Sequence, residues 1–349
     1  MVSILCQLPV RLLPWYAANK RDLPWRQDRE PYHVWLSEIM LQQTRVEAVK
    51  GYYARFLRRF PTIAKLASAE ESELLKLWEG LGYYSRAKNL KQAASVIMST
   101  FGGMFPTNYA DIRALPGIGD YTAGAICSIC FDRKTPAVDG NVLRVVSRLL
   151  DDHSCTDDTR VKRRFSDMLA EVYPEEAGTF TQALMELGAT VCLPNGAPRC
   201  SACPMEDLCL ARQRNTIGDL PVRTAKKPRK QQDMTVFLLT CGDRTAIRRR
   251  PDAGLLAGMY EFPHLPGTLS PEKAIRAADG WGLAPQYLEK AVSRTHVFTH
   301  IQWNMTGIRI HCGSESPEFL WADRETIVNT IALPTAFRQF LPDIWEDCI

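Results

Sequence analysis

The sequence predicts a multidomain chain, all-α over residues 1–216 and α+β over residues 233–349, with a linker at 217–232. Three observations predict it. Apolar residues recur at helical spacing in the first part, period-two alternation takes over in the last, and a proline-bearing basic run lies between them. The length of 349 residues also exceeds what one ordinary core holds. A chain that is 46% hydrophobic and 23% charged has ordinary soluble globular composition.

In order along the chain, Trp35, Leu36, Ile39 and Met40 recur at the spacing of a helix. Ser68 with Glu71 reads as a capping box ahead of Leu74, Leu75, Leu77 and Trp78, and Gly80 ends that helix. Pro61, Pro106, Pro116 and Pro174 punctuate the rest. Residues 221–230, PVRTAKKPRK, carry five basic side chains, no acidic one and two prolines. Such a run is a linker, either a solvated connector or one that touches phosphates. The segment MTVFLLTC is rich in strand formers, and Ile301, Trp303 and Met305 alternate with Gln302, Asn304 and Thr306 as in a half-buried strand. Residues 271–282 and 322–330 read as helices.

No apolar run approaches the roughly 20 residues that span a bilayer, and the N-terminus lacks a secretory pattern. A cytoplasmic, bacterial-type chain follows, in a place that keeps thiols reduced. The net charge of +4 is compatible with nucleic acid without demanding it. Four of the eleven cysteines, Cys192, Cys200, Cys203 and Cys209, are spaced C-x7-C-x2-C-x5-C in a loop broken by Pro194, Gly196, Pro198 and Pro204. Four thiolates hold zinc or a 4Fe-4S cluster. A single C-x2-C knuckle with two outlying cysteines favours the cluster over a zinc ribbon. Cys127 and Cys130 sit in the apolar run AGAICSICF and read as small buried hydrophobes. Cys6, Cys155, Cys241, Cys312 and Cys348 are isolated.

In LPGIGDYTAGA, residues 115–125, Pro116, Gly117 and Gly119 predict a tight turn whose N–H groups face an anion at the start of a helix near Asp120. DNA phosphate is such an anion. Asp139 follows Gly119 by twenty residues, ahead of an apolar helical pattern. Alone it reads as an N-cap; beside the hairpin and the cysteine loop it reads as catalytic. Glu38 lies among Trp35, Leu36, Ile39, Met40 and Leu41, an apolar setting that raises a carboxyl pKa.

A hairpin LPGIG-x-x-TA, an aspartate about twenty residues on and a cysteine loop soon after resemble the helix-hairpin-helix DNA glycosylases, over essentially all of residues 1–216. WLSEIMLQQTRV resembles the catalytic segment of the MutY-type adenine glycosylases nearly residue for residue. The resemblance implies a 4Fe-4S cluster on the four cysteines and Glu38 as general acid. It further implies that Asp139 stabilises or traps the sugar cation, with Tyr121 and Asn141 positioning it. Bifunctional members carry a lysine nucleophile where this chain has Tyr121, so lyase activity is expected to be absent or weak. By match, Arg21, Leu23, Trp25, Arg26, Leu41, Val46 and Gln182 form an adenine pocket, and Gln42, Gln43 and Thr44 form a wedge with Gln43 intercalating. Gly117 and Gly119 bind DNA, and Tyr83 inserts beside an oxidised guanine.

Residues 250–263, RPDAGLLAGMYEFP, resemble the family's C-terminal Nudix-like domain, but the glutamate-rich magnesium helix of a working Nudix enzyme is missing from SPEKAIRAADG. The domain is expected to read a base. Its lesion-reading Phe-Ser-His segment is here Phe298, Thr299 and His300, which keeps the hydroxyl and adds a methyl. The first cysteine gap is one residue longer than the common family spacing, and Asp120 places an acid by the hairpin, where it can cap the helix. The expected partner is double-stranded DNA carrying adenine opposite 8-oxoguanine or guanine, met by a monomer. The rival is a thymine or uracil mismatch glycosylase of the same superfamily, which usually lacks the Nudix-like domain.

Overall fold

The computed structural model describes residues 2–225 and 227–345. Lys226 of the basic run and Cys348 lie outside them. The chain divides into two compact units, residues 1–68 with 89–225 and residues 69–88 with 226–349. Residues 69–88, expected within the first domain, thus cluster with the second. Among the described residues no helix is long and apolar enough to cross a membrane.

The helical unit is built around the helix Gly140–Leu150, which buries nine of its eleven residues. Its Val142, Val146 and Leu149 share one apolar cluster with Leu8 and Leu12 of Gln7–Asn19, Phe165 and Leu169 of Thr159–Ala170, and Phe180 and Leu184 of Ala177–Thr190. Each such side chain taken from water contributes roughly 1.5–3 kcal/mol. Gly188 decides how closely two of these helices approach. A Cβ there would stand 2.6 Å from the Cβ of Asn141, so any larger residue would push Asn141 from its place. The second helix of the hairpin, Asp120–Phe131, also packs on Ala177–Thr190 and on Pro31–Leu41.

The second unit holds a seven-stranded sheet in the order β3-β2-β1-β6-β5. Its strands are β1 (Lys230–Cys241), β2 (Arg244–Arg249), β3 (Tyr260–Glu261), β4 (His264–Pro266), β5 (Pro285–Val297), β6 (Ile301–Cys312) and β7 (Leu320–Asp323). β1 and β6 run parallel, the other pairs antiparallel, with β4 on β1 and β7 on β2. The alternation expected at 301–306 is present, Trp303 and Met305 being buried on one face. The other face is covered by the helix Pro271–Gly280, started by its Ser270 cap. The segment 69–88 is held to this unit by Glu79, whose carboxylate accepts from Leu333 N at 2.9 Å, and by Lys76, which donates to the Ile331 carbonyl at 2.8 Å.

Three local expectations are corrected. Ser68 does not cap the helix Glu71–Trp78, whose N-cap is Glu70 and makes no side-chain bond. With φ −86° and ψ 2°, Ser68 ends the preceding helix Ile63–Ala67 and lacks the extended backbone an N-cap needs. The stretch 322–330 is helical only from Arg324 to Asn329, because pairing of β7 with β2 runs through Asp323, which then caps the helix. Asp120 is not a cap either. Gly119 occupies that position, and the Asp120 carboxylate pairs with Arg113 at 2.6 Å.

Candidate active site

One cleft in the helical unit is lined by Glu38, Tyr121, Asp139 and Asn141 together with Arg21, Leu23, Trp25, Arg26, Leu41, Gln42, Gln43, Thr44, Val46, Gly119 and Gln182. Residues from five separated segments of sequence therefore meet at one surface. Gly117 does not line it. Its φ of +76° makes the hairpin turn, and a Cβ there would strike Asn89 at 2.6 Å.

Glu38 sits in the last turns of the helix Pro31–Leu41, which is started by Pro31 and buries eight of its eleven residues. The Glu38 side chain is part of that buried face, with 7% of the residue exposed. Tyr121 donates its hydroxyl to Glu38 Oε2 at 2.6 Å. Burial raises the Glu38 pKa from the ordinary 4.5 to about 7; the Tyr121 bond opposes the rise, the Asp139 charge adds to it, and Arg26 opposes it. The acid and its conjugate base are therefore both populated near neutrality. The Tyr121 phenol itself is pushed well above 10 by burial and by the two carboxylates, so it remains a donor.

Asp139 takes up the cap reading of its position. It is the N-cap of Gly140–Leu150, its Oδ1 accepting from Asn141 N at 2.9 Å and Val142 N at 2.8 Å. Its Oδ2 accepts from Asn141 Nδ2 at 2.7 Å. Burial raises its pKa against these three donors and the charge of Arg144. The Asn141 amide is itself oriented, because Arg144 donates to its Oδ1 at 2.9 Å while also donating to the carbonyls of Gly188 and Cys192.

Glu186 was not singled out by the sequence, although it shares with Glu38 the signal of a lone acid in an apolar helix. It is fully buried, yet Arg21 grips both its oxygens, at 2.7 and 2.8 Å, and Arg26 donates to one at 2.7 Å. Against the desolvation that would raise it, these bonds hold its pKa at about 2. Two glutamates of one cleft are thus set about five units apart by their partners. Arg21 and Arg26 are occupied in this pairing. Gln182 accepts from the Tyr16 hydroxyl at 2.9 Å, and Trp25 packs edge-on against Tyr53.

At the cleft edge Gln43 is exposed and has a left-handed backbone, φ +58°. Gln42 donates to Thr122 at 3.4 Å, and the Thr44 amide closes the turn onto Leu41 at 3.2 Å. In the other unit the tyrosine pair divides. Tyr84 is buried, its hydroxyl accepting from Gly80 N, whereas Tyr83 is 45% exposed with φ +47°. Its hydroxyl lies 2.9 Å from Thr299 Oγ1. Thr299 and His300 are exposed in the turn between β5 and β6, and Phe298 anchors that turn against His296 and Trp303.

The thiols of Cys192, Cys200, Cys203 and Cys209 line one small cavity with Leu149, Leu187, Val191 and Arg148. All four are free. Among the described residues no group of His, Cys, Asp or Glu is arranged to hold a single metal ion. The buried Arg148 donates to Cys192 Sγ at 3.3 Å and to the Leu193 carbonyl at 2.9 Å. Four sulfurs around a protein-lined cavity, with a guanidinium donating to one of them, fit an anionic iron–sulfur centre. Arg144 and Arg148 were also missed; their signal is two arginines four apart in the otherwise apolar VLRVVSRLL.

Residues 36–171 match the HhH-GPD superfamily of base excision DNA repair proteins, and residues 235–343 match the NUDIX domain. The chain is 34% identical over 395 residues to the adenine DNA glycosylase of Homo sapiens, covering 94% of this chain and 72% of that protein. Among solved structures, a thermostable thymine-DNA glycosylase superposes with a TM-score of 0.55 at 28% identity, over 61% of this chain and 98% of that one. A DNA complex of endonuclease III superposes with a TM-score of 0.51 at 21% identity, over 60% and 96%, and shows the shared fold. With its helical repair domain, its Nudix-like domain and this relationship, the chain belongs to the adenine DNA glycosylases, N-glycosylases of the helix-hairpin-helix base excision repair superfamily.

Proposed function

We propose that the protein releases adenine mispaired with 8-oxoguanine or guanine in double-stranded DNA, as a monofunctional glycosylase acting as a monomer. The observation that carries this reading is the buried Glu38 carboxyl, poised near pH 7 and hydrogen-bonded to Tyr121. Adenine leaves poorly unless its ring is protonated, and an acid of that pKa supplies the proton.

The target nucleotide leaves the stack and enters the cleft, with Gln43 filling the gap. Glu38 gives its proton to the imidazole-side nitrogen of adenine. The C1′–N9 bond breaks, its electron pair leaves with N9, and neutral adenine departs from an oxocarbenium-like sugar. Asp139, held by Asn141, stabilises that cation or closes on C1′, as carboxylates do in retaining glycosidases. Glu38, now a carboxylate, takes a proton from water, whose oxygen bonds to C1′; where Asp139 has closed on C1′, that C1′–Oδ bond breaks and its electron pair returns to the Asp139 carboxylate, leaving an abasic site. Tyr121 offers no amine for a Schiff base, so the strand stays intact. Cys192, Cys200, Cys203 and Cys209 would hold a 4Fe-4S cluster that orders the loop 192–209. Tyr83, together with Phe298, Thr299 and His300 of the Nudix-like domain, reads the opposing base.

A single-turnover assay tests this on duplexes with adenine opposite 8-oxoguanine, adenine opposite guanine, and thymine opposite guanine, each split with and without alkali. Adenine release, fastest opposite 8-oxoguanine and giving breaks only after alkali, is expected. Thymine release would move the protein to the rival specificity, and breaks without alkali would restore a lyase.

A further inference from the structure

We propose that Arg223 binds a backbone phosphate of the strand whose nucleotide enters the cleft, beside Asp139; this rests on the DNA reading above. The basic run 221–230 has two readings, a solvated connector or a phosphate contact. Its first residues are not a free connector. The Val222 carbonyl accepts from Thr156 N at 2.9 Å and Thr156 Oγ1 at 3.0 Å, and Thr224 N donates to Asp157 Oδ2 at 2.8 Å. These bonds fix the residues on both sides of Arg223.

The side chain between them runs toward the catalytic cap. A Cβ on Gly140, the residue after Asp139, would stand 3.5 Å from Arg223 Nη2. Arg223 is nonetheless exposed, and among the described residues it makes no ion pair. Two other cations of the cleft region are occupied: Arg144 serves Asn141 and two carbonyls, and Arg160 pairs with Asp158.

Charge balance says what such a guanidinium is for. The cleft is lined by Glu38, Asp120, Asp139, Asp167 and Glu186; Glu186 is paired with Arg21 and Arg26 and Asp120 with Arg113, which leaves Asp139 and Asp167 in no ion pair among the described residues. An incoming phosphate diester meets a repulsive floor unless cations stand at the rim. Lys162 and Arg163 line the same cleft, and Arg223 brings a planar fork of donors that matches two phosphate oxygens. Its backbone is already ordered, so little entropy is lost when the contact forms.

The test is the salt dependence of binding to a duplex carrying non-cleavable 2′-fluoro-2′-deoxyadenosine opposite 8-oxoguanine, for wild type, Arg223→Ala and Arg223→Lys. One lost phosphate contact lowers the slope of log K against log salt by about 0.9, which is about eightfold in affinity at 0.1 M salt. Arg223→Ala is expected to show that loss and Arg223→Lys to recover the slope. Equal slopes for wild type and Arg223→Ala would overturn the inference. Adenine release by the wild type, measured alongside, separates the cases: an inactive wild type overturns the functional reading, an active one with unchanged slopes overturns the inference alone.

Discussion

The cleft around Glu38 and the turn around Tyr83 and Thr299 use a hydroxyl in opposite ways. In the cleft the Tyr121 hydroxyl donates to the Glu38 carboxyl among buried partners, where burial raises the Glu38 pKa to about 7 against that bond. In the turn the Tyr83 hydroxyl meets Thr299 at an exposed surface, on a left-handed backbone that a tyrosine rarely adopts. The difference teaches what each task requires. Proton transfer needs a dry, fixed environment. Under the proposed function the turn reads a duplex, which needs side chains held out from the protein surface, and its left-handed backbone holds Tyr83 that way. Gln43, φ +58°, repeats the device within the helical unit.

The comparison is broken most severely at Glu38. Glu38→Gln keeps the shape and the Tyr121 contact but cannot protonate adenine, and single-turnover release is expected to fall about 10²–10⁴-fold. Asp139→Asn follows. Asparagine caps a helix as well as aspartate does, so circular dichroism and thermal melting stay near wild type. The rate is expected to fall about 10²–10³-fold through loss of the negative charge. A variant that melted early with an unchanged rate would show that Asp139 is a cap alone.

Stability gives the third test. Folding raises the Glu38 pKa, so the charged form destabilises the native state once pH passes about 7, and the penalty vanishes below the unfolded value near 4.5. Glu38→Gln is therefore expected to be more stable than wild type by about 3 kcal/mol at pH 8, and by little at pH 4. Urea titrations at the two pH values check this. The smallest effect belongs to the turn. Tyr83→Phe removes one exposed hydrogen bond and is expected to narrow the preference for 8-oxoguanine over guanine by about 2–10-fold, measured as a ratio of single-turnover rates.

The sequence made the division into a helical and an α+β part legible because period and composition change together near residue 217. It also made Asp139 legible as a cap, since the spacing of Asp139 from the apolar pattern is local. Glu38 was legible through its apolar neighbours, but Glu186, with the same signal, was passed over. What separates them is the pairing of Glu186 with Arg21 and Arg26, 165 and 160 residues away. Local pattern carries no information about such partners. The contact of Glu79 with Leu333 was hidden for the same reason, its partner lying 254 residues on. The error at Ser68 was of another kind. Its spacing from Glu71 suits a capping box, but the preceding helix claims the residue first.

The most direct test of the central claim is the pH dependence of single-turnover adenine release opposite 8-oxoguanine, for wild type and Glu38→Gln between pH 5.5 and 9. If the protonated Glu38 delivers the proton, the wild-type rate is flat below about pH 7 and falls tenfold per unit above it, while the residual rate of Glu38→Gln shows no limb there. A wild-type rate that stayed level through pH 9, or the same limb in Glu38→Gln, would contradict the account.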